Sequence, residues 1–254
     1  MWNCVRSLPV LWVMMVTLGT TPCAFADLDI SALLKQPRPA SPTEPSSPSL
    51  PVASDKTLLP ADPDNSATAA LRTKDAESSF RDAVSLDTPG ASREALIRAS
   101  DLYREAAELG HVKAQSALGL MYAQGHGVDA DDKRAAFWLS KAAKSGDATA
   151  QYGLGLLYYE GRGVARDYDR ALSLYRDAAA NGNAKAMNNL GIMHALGHGV
   201  KESNVEALAW FTLAADAGSR DAPANAELLK QELSETDLKA ASERVATLTT
   251  QLGR

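Results

Sequence analysis

Apolar residues in the second half of the chain recur three and four positions apart, which is the spacing of one face of an α-helix. In the stretch 148–160 this apolar face is formed by Leu154, Leu157 and Tyr158. No stretch of the sequence shows the strict alternation that is typical of a half-buried strand. The pattern therefore predicts an all-α fold of short amphipathic helices.

The helical pattern recurs with a period of 36 residues and without insertion. Ten columns are identical in three successive units, 111–146, 147–182 and 183–218, and they include a Leu-Gly pair and a Gly-x-Gly-Val turn. A fixed period of this length indicates stacked helix pairs, because each unit buries its apolar face only against its neighbours. The predicted architecture is an α/α superhelical solenoid of antiparallel helix pairs.

The glycines of the middle unit predict how its two helices, A and B, meet. Gly155 has no side chain, so a neighbouring helix can approach closely. Gly161 is expected to end helix A, predicted over 148–160, in the left-handed conformation, and Gly163 is expected to turn the loop back.

Helix B should follow an N-cap residue, Asp131, Asp167 or Ser203 in the three units, and Ser203 with Glu206 forms the pattern of a capping box. The next A helices are expected to be capped by Asp147, Asn183 and Ser219.

Less regular segments flank the three units. Residues 66–110 predict a degenerate first helix pair, in which Pro89-Gly90 separates the two helices. Residues 219–254 predict two C-terminal capping helices, over 224–233 and 235–252, whose polar faces shield the last edge of the stack.

The N-terminal residues 1–26 have the pattern of a secretory signal peptide: a single basic residue, Arg6, a short apolar run and an Ala24-Phe25-Ala26 end. Cleavage is expected after Ala26. A membrane anchor is an alternative that fits less well, because a spanning helix needs about 20 apolar residues. Lipidation at Cys23 is a second alternative. Residues 27–65 carry eight prolines and few apolar side chains, and predict a disordered linker.

Charge and cysteine content narrow the classes of partner and chemistry. The net charge of −5 becomes −6 when Arg6 leaves with the signal peptide, so the mature chain has no basic excess with which to bind nucleic acid. Both cysteines, Cys4 and Cys23, lie in the predicted signal peptide. The mature chain is therefore expected to have no disulfide, no thiolate nucleophile and no cysteine metal ligand. No stable membrane insertion is expected after cleavage.

Histidine and aromatic residues are the remaining candidates for a metal site or a ligand-binding site. His194 and His198 are four apart, but Gly197 should end the helix between them, so no shared metal site is predicted; His126 is expected to be solvated in its loop. No nucleophile motif or phosphate-binding loop occurs. The sequence thus predicts a non-enzymatic protein with no cofactor and no metal. The aromatic residues that keep the repeat register are expected to pack in the core: Tyr122, Trp138, Tyr158 and Trp210.

The pattern A-x-x-x-L-G-x-x-Y-x-x-G-x-G-V, followed by A-x-x-(W/L)-(Y/F/L)-x-x-A-A-x-x-G, resembles the Sel1-like repeat family, which is related to tetratricopeptide repeats. The resemblance covers residues 92–252, and His194 departs from it by standing where Tyr122 and Tyr158 stand in the other units. It implies a superhelix that binds proteins or peptides as an adaptor, often in envelope signalling, secretion or host contact.

These observations predict an exported, periplasmic or secreted adaptor that binds a protein or peptide on the concave face built by the A helices. Tyr159, Lys185 and Asn189 are the candidate partner contacts, because they lie on helix A and vary between units whereas the packing columns do not. Two alternatives stay open: a cell-wall hydrolase or β-lactam-recognising enzyme, and a secreted factor that contacts host proteins.

Overall fold

The computed structural model describes residues 66–253, and this part of the chain contains ten α-helices and no strand. The all-α prediction is confirmed. The predicted signal peptide, residues 1–26, and the predicted linker, residues 27–65, lie outside the described residues. The helices are α1 (Ser66–Leu86), α2 (Arg93–Glu108), α3 (Val112–Gln124), α4 (Asp132–Lys144), α5 (Ala148–Glu160), α6 (Tyr168–Ala180), α7 (Ala184–Leu196), α8 (Asn204–Asp216), α9 (Ala222–Glu232) and α10 (Glu235–Gln251).

Consecutive helices pack against each other from α1 (Ser66–Leu86) to α9 (Ala222–Glu232), so the predicted solenoid of helix pairs is confirmed. The helices α3, α5 and α7 are the A helices of the three units, and α4, α6 and α8 are the B helices. Helix A of the middle unit has the predicted bounds, Ala148–Glu160. The four aromatic residues that keep the repeat register are all buried, as predicted: Tyr122, Trp138, Tyr158 and Trp210.

The glycine of each Leu-Gly pair lets the two helices of a unit approach closely. A Cβ atom added to Gly155 would lie 2.7 Å from the ring of Tyr175, which is fully buried on α6. The same contact occurs in the other two units, where Gly119 meets Leu139 and Gly191 meets Phe211. The close approach predicted at Gly155 is thus confirmed.

The two glycines of each Gly-x-Gly turn have positive φ for different reasons. Gly161 is the left-handed C-cap of α5, with φ 75°, and its N–H donates to the carbonyl oxygen of Leu157. Gly163, with φ 68°, lies so close to Asp132 that an added Cβ would overlap the Asp132 backbone. The first glycine therefore ends its own helix, and the second allows contact with the start of the preceding B helix.

The residue between these two glycines connects one unit to the previous one. The contact is to a residue 39 positions earlier in every unit: His126 Nε2 lies 3.3 Å from Asp87 Oδ1, Arg162 donates to the Ala123 carbonyl oxygen at 2.9 Å, and His198 Nδ1 lies 3.0 Å from the Tyr159 hydroxyl. We call this contact the loop latch. The His126 side chain is 42% exposed, so the expectation that it is solvated holds in part, and the loop latch in addition places its Nε2 beside Asp87.

Most helix caps form as predicted. Asp131, Asp167 and Ser203 cap the B helices, and Asp147 and Asn183 cap α5 and α7.

Two details of the capping predictions were wrong. Glu206 does not complete the capping box, because its carboxylate pairs with Arg244 and the Ser203 N–H donates to the His194 carbonyl oxygen. Ser219 caps no helix, since α9 begins only at Ala222. The reason is Pro223, which fits the first turn of a helix but would break a hydrogen bond if the helix began directly after Ser219.

The last two helices, α9 and α10, both pack on α8 and cover the end of the stack. Their bounds agree with the predicted capping helices to within two residues at each end. None of the helices in residues 66–253 has the length and apolar character needed to cross a membrane.

Candidate functional site

A groove of about 810 Å³ runs along α3 and α5 to the start of α7, and we call it the A-helix groove. Apolar side chains from successive units line it, chiefly Leu120, Tyr152 and Leu156. Lys185 and Arg220 lie where α7 begins and where α8 connects to α9. The carboxylate of Asp221 lies in the same part of the lining. The groove therefore combines an apolar surface with two cations and one carboxylate at one end, which leaves a net positive charge there.

The repeat register explains why the groove lies on the A helices. Leu120 and Leu156 occupy the same column, two residues after the buried leucine of the Leu-Gly pair, so successive A helices each contribute an apolar side chain. Gly153 also lines the groove, and a Cβ added there would lie 3.2 Å from Leu139 and 3.3 Å from Leu120. The absence of a side chain at this position allows α3, α4 and α5 to meet closely beneath the groove.

Tyr152 is the aromatic side chain in the groove. Burial raises the pKa of its hydroxyl to about 12, and the carboxylates of Glu160 and Asp221 add to the shift. Its phenol therefore stays neutral at physiological pH, and it presents an apolar ring with one hydroxyl to a ligand. This combination of a large ring and a polar tip is favoured at binding surfaces.

The structure places the three predicted contact residues in different surroundings. Lys185 is exposed and lines the A-helix groove. Tyr159 is half-buried, shares the loop latch with His198, and does not line the groove. Asn189 is also half-buried, near the Tyr175 hydroxyl, and lies outside the groove lining. Of the three, the structure brings only Lys185 to the groove, and the role of all three in binding stays a prediction.

Sequence reasoning missed most of the groove lining. The column of Leu120 and Leu156, which is apolar in successive A helices, is the sequence signal that could have found the groove. Tyr152 lies outside the invariant columns, so the repeat pattern does not single it out. Arg220 follows the last regular unit, where the repeat has decayed, and no pattern pointed to it.

His194 and His198, the two histidines four residues apart in the sequence, lie in different environments. The His198 ring stacks on Tyr168 with centroids 4.5 Å apart, whereas His194 lies in α7 next to the C-terminal helix. Burial lowers the pKa of both rings. Within residues 66–253, no group of three or more histidine, cysteine, aspartate or glutamate side chains is arranged to hold a metal ion.

Comparison with known proteins gives matches along the repeat region. The family model for the Sel1 repeat matches residues 96–111, 112–147, 148–183 and 184–219. A protective antigen of uropathogenic Escherichia coli strains, displaying an SLR fold, is 28% identical with a TM-score of 0.63, and the match covers 69% of this chain and 38% of that one. A Sel1 repeat protein from Oxalobacter formigenes is 31% identical with a TM-score of 0.52, and the match covers 62% of this chain and 64% of that one.

The chain thus spans less than two thirds of the length of either solved structure. No curated protein matches it significantly.

Proposed function

Residues 96–219 belong to the Sel1 repeat family, and from this premise we propose that the protein is an exported scaffold that binds a protein or peptide segment in the A-helix groove. Sel1 repeats commonly serve as protein-interaction scaffolds. The observation that carries the proposal is the groove itself, about 810 Å³ in volume and lined by three successive A helices. A groove that crosses several units suits an extended segment, because each unit contributes one side chain to the contact.

The chemistry of the groove indicates the kind of segment that it would bind. Leu120, Tyr152 and Leu156 favour apolar side chains, and Lys185 with Arg220 favours an acidic group at one end. Neither cation has an ion-pair partner within the described part of the chain. The proposed ligand is therefore a short apolar segment that carries an acidic residue or a carboxyl terminus next to Lys185.

Export is the second part of the proposal, and it rests on the pattern of residues 1–26 alone. The basic start, the short apolar run and Ala24-Phe25-Ala26 favour cleavage that leaves Asp27 as the first residue. N-terminal sequencing of protein from cell fractions checks this. A chain that still begins at Met1, or lipid attached to Cys23, would contradict it.

Site-specific photocrosslinking tests the groove. A photoreactive amino acid at Thr149, which is exposed in the groove, should crosslink a partner in envelope extract or culture medium. The same amino acid at Ser173, exposed on the B helix α6, is the matched control and should not capture that partner. Equal capture from both positions would mean that the partner binds elsewhere or without specificity.

Charge reversal tests the proposed ligand chemistry. The Lys185→Glu and Arg220→Glu double variant should keep its melting temperature, because both side chains are exposed, and should bind the captured partner about tenfold or more weakly. Lys144→Glu with Lys239→Glu makes the same charge change on exposed lysines outside the groove. Equal loss of affinity in both double variants would show a general charge effect and would overturn the assignment of an acidic ligand group.

A further inference from the structure

A small polar arrangement recurs at the junction of the A and B helices in the first two units. In the middle unit the Tyr158 hydroxyl accepts a hydrogen bond from Arg170 at 3.1 Å, and the same arginine pairs with the cap residue Asp167 at 3.1 Å. In the first unit the guanidinium of Arg134 lies over the ring of Tyr122, 5.5 Å from its centroid. In both units an arginine of helix B therefore covers a tyrosine of helix A.

The third unit replaces every member of this arrangement. His194 stands where the tyrosines stand, Glu206 where the arginines stand, and Ser203 where the aspartates stand. Glu206 is paired instead with Arg244, whose Nε lies 2.8 Å from Glu206 Oε1, and Arg244 comes from the terminal helix α10. The imidazole ring of His194 is smaller than a tyrosine ring, and Glu206 replaces the arginine that covers it in the other units. This leaves a space that α10 encloses on one side.

This space is a cleft of about 630 Å³, which we call the His194 cleft. Its apolar lining includes Trp210 and Leu248, which are both buried. Arg176 and Lys201 also line it; both are exposed, and neither has an ion-pair partner within residues 66–253. No residue lines both this cleft and the A-helix groove.

The charges around the His194 cleft leave a positive excess. Arg176, Lys201 and Arg244 contribute three positive charges, and Glu206 contributes one negative charge that Arg244 neutralises. The Nδ1 atom of His194 is buried and has no hydrogen-bond partner. A buried ring nitrogen without a hydrogen-bond partner is energetically unfavourable.

We propose that the His194 cleft binds an amphiphilic carboxylate, with the carboxylate near Arg176 and Lys201 and an apolar chain against Trp210 and Leu248. The apolar lining alone would accept a neutral chain, so the two unpaired cations are what select an acid. An acyl chain and the apolar carboxyl terminus of a peptide share this chemistry. The site is separate from the A-helix groove, so either proposal can fail without the other.

Burial lowers the pKa of His194 in the protein without ligand; Glu206 opposes that shift, and Arg176 and Arg244 add to it. A carboxylate bound beside the ring would favour the imidazolium and raise this pKa. The His194 pKa therefore reports the position of the charge of the ligand, which a measurement of overall affinity does not.

The test is an NMR titration of the purified protein with sodium decanoate below its micelle concentration, with decanamide as the neutral control. Decanoate should shift the Trp210 indole signal saturably and raise the His194 pKa by about one unit. Decanamide should bind about tenfold more weakly, because it lacks the charge that the cations select. A second pair of probes, the tripeptide acetyl-Ala-Ala-Phe as the acid and as the amide, distinguishes a peptide source from an acyl source.

Charge-neutral variants locate the site. Arg176→Gln with Lys201→Gln should weaken decanoate binding about tenfold, and Lys133→Gln with Lys144→Gln, on the exposed surface of α4, should leave it unchanged. All four side chains are exposed, so neither double variant should affect folding. The proposal is overturned if neither acid binds saturably, if acids and amides bind equally, or if the Arg176 and Lys201 variant binds as tightly as the wild type.

Discussion

At the scale of single residues, the Gly-x-Gly turn contains two glycines that are needed for different reasons. Gly161, the first glycine of the turn in the middle unit, has positive φ at the end of α5. Gly146 lies outside the turn, just after α4; it also has positive φ, and an added Cβ there would meet nothing within 4 Å. Gly163 has positive φ and is also in close contact with the Asp132 backbone. A side chain at Gly163 would therefore be strained twice, once by its own dihedral and once by the neighbouring unit.

Gly163→Ala should lower the free energy of unfolding by about 2–5 kcal/mol, because the left-handed conformation costs an alanine about 1–2 kcal/mol and overpacking adds about 1–3 kcal/mol. Gly146→Ala, the matched control, should cost only about 1–2 kcal/mol. Chemical denaturation of both variants measures the difference. Equal losses in the two variants would mean that Gly163 does not touch the preceding unit as described.

His198 is a second residue whose surroundings predict a measurable property. Its ring is half-buried and stacked on Tyr168, and burial lowers its pKa below the ordinary value of 6.5, with Arg166 adding to the shift. The unfolded chain therefore takes up this proton at a higher pH than the folded protein does. The stability contributed by the neutral ring is fully present above about pH 6.5 and falls as the pH drops toward the folded-state pKa.

The wild-type protein should thus lose stability between about pH 6.5 and pH 5, and His198→Gln should show a flatter dependence over the same interval. Denaturation curves at several pH values measure the slope, and an NMR titration of the His198 ring gives the folded-state pKa directly. A folded-state pKa above 6.5 would reverse the sign and contradict the prediction.

At the scale of helices and turns, the units are held together by contacts that the turns make across the stack. Arg162 is the fullest case of the loop latch: it donates to the Ala123 carbonyl oxygen at 2.9 Å and pairs with Asp132 at 2.7 Å and with Glu160 at 3.3 Å. The guanidinium therefore joins the end of α3, the start of α4 and the end of α5. One side chain thus links the second unit to both helices of the first.

Arg162→Ala should lower the free energy of unfolding by about 1–2 kcal/mol, mainly through the charge-assisted hydrogen bond to Ala123. The ion pair with Asp132 should contribute little, since both side chains are about one third exposed and the interaction is screened. A double-mutant cycle with Asp132→Asn should give a coupling energy of about 0.5–1 kcal/mol. Arg98→Ala, at an exposed position on α2, is the control and should have almost no effect.

At the scale of the whole molecule, every unit packs mainly on its neighbours in the chain, and the ends of the stack are the weak points. At the C-terminal end, α9 and α10 both pack on α8, and Leu248 of α10 is buried there. The Arg244–Glu206 pair adds a polar contact to the same interface. The terminal helix therefore completes the third unit rather than forming a further unit of its own.

Truncation after Glu232, which removes α10, should lower the melting temperature and reduce hydrogen-exchange protection in α7 and α8 more than in α3 and α4. The reason is that the side of α8 that packs against α10 becomes exposed, whereas the first units keep all of their neighbours. Hydrogen-exchange mass spectrometry of the intact and truncated proteins measures this directly. A uniform loss of protection along the whole stack would instead indicate that the solenoid unfolds as one cooperative unit.

The sequence by itself determined the helical architecture, because a 36-residue period with matching glycine, alanine and leucine columns is compatible with few other arrangements. It placed the middle helix A at Ala148–Glu160 and identified most of the caps, since these depend on residues close together in the chain. It also singled out His194 as a departure from the repeat. These predictions succeeded where local chemistry and periodicity specify the structure.

Tertiary structure decided which variable residues of the A helices share a surface. Lys185 and Asn189 lie four residues apart on the same face of α7, yet only Lys185 lines the groove. The groove reaches only the first turn of α7, whereas Asn189 lies one turn further along the helix, near Tyr175 of α6. Arg220 reaches the groove from outside the regular repeat, and Arg244 reaches Glu206 from a position 38 residues away. Contacts between distant parts of the chain depend on how whole helices pack, and a periodic pattern carries no information about residues that lie outside its period.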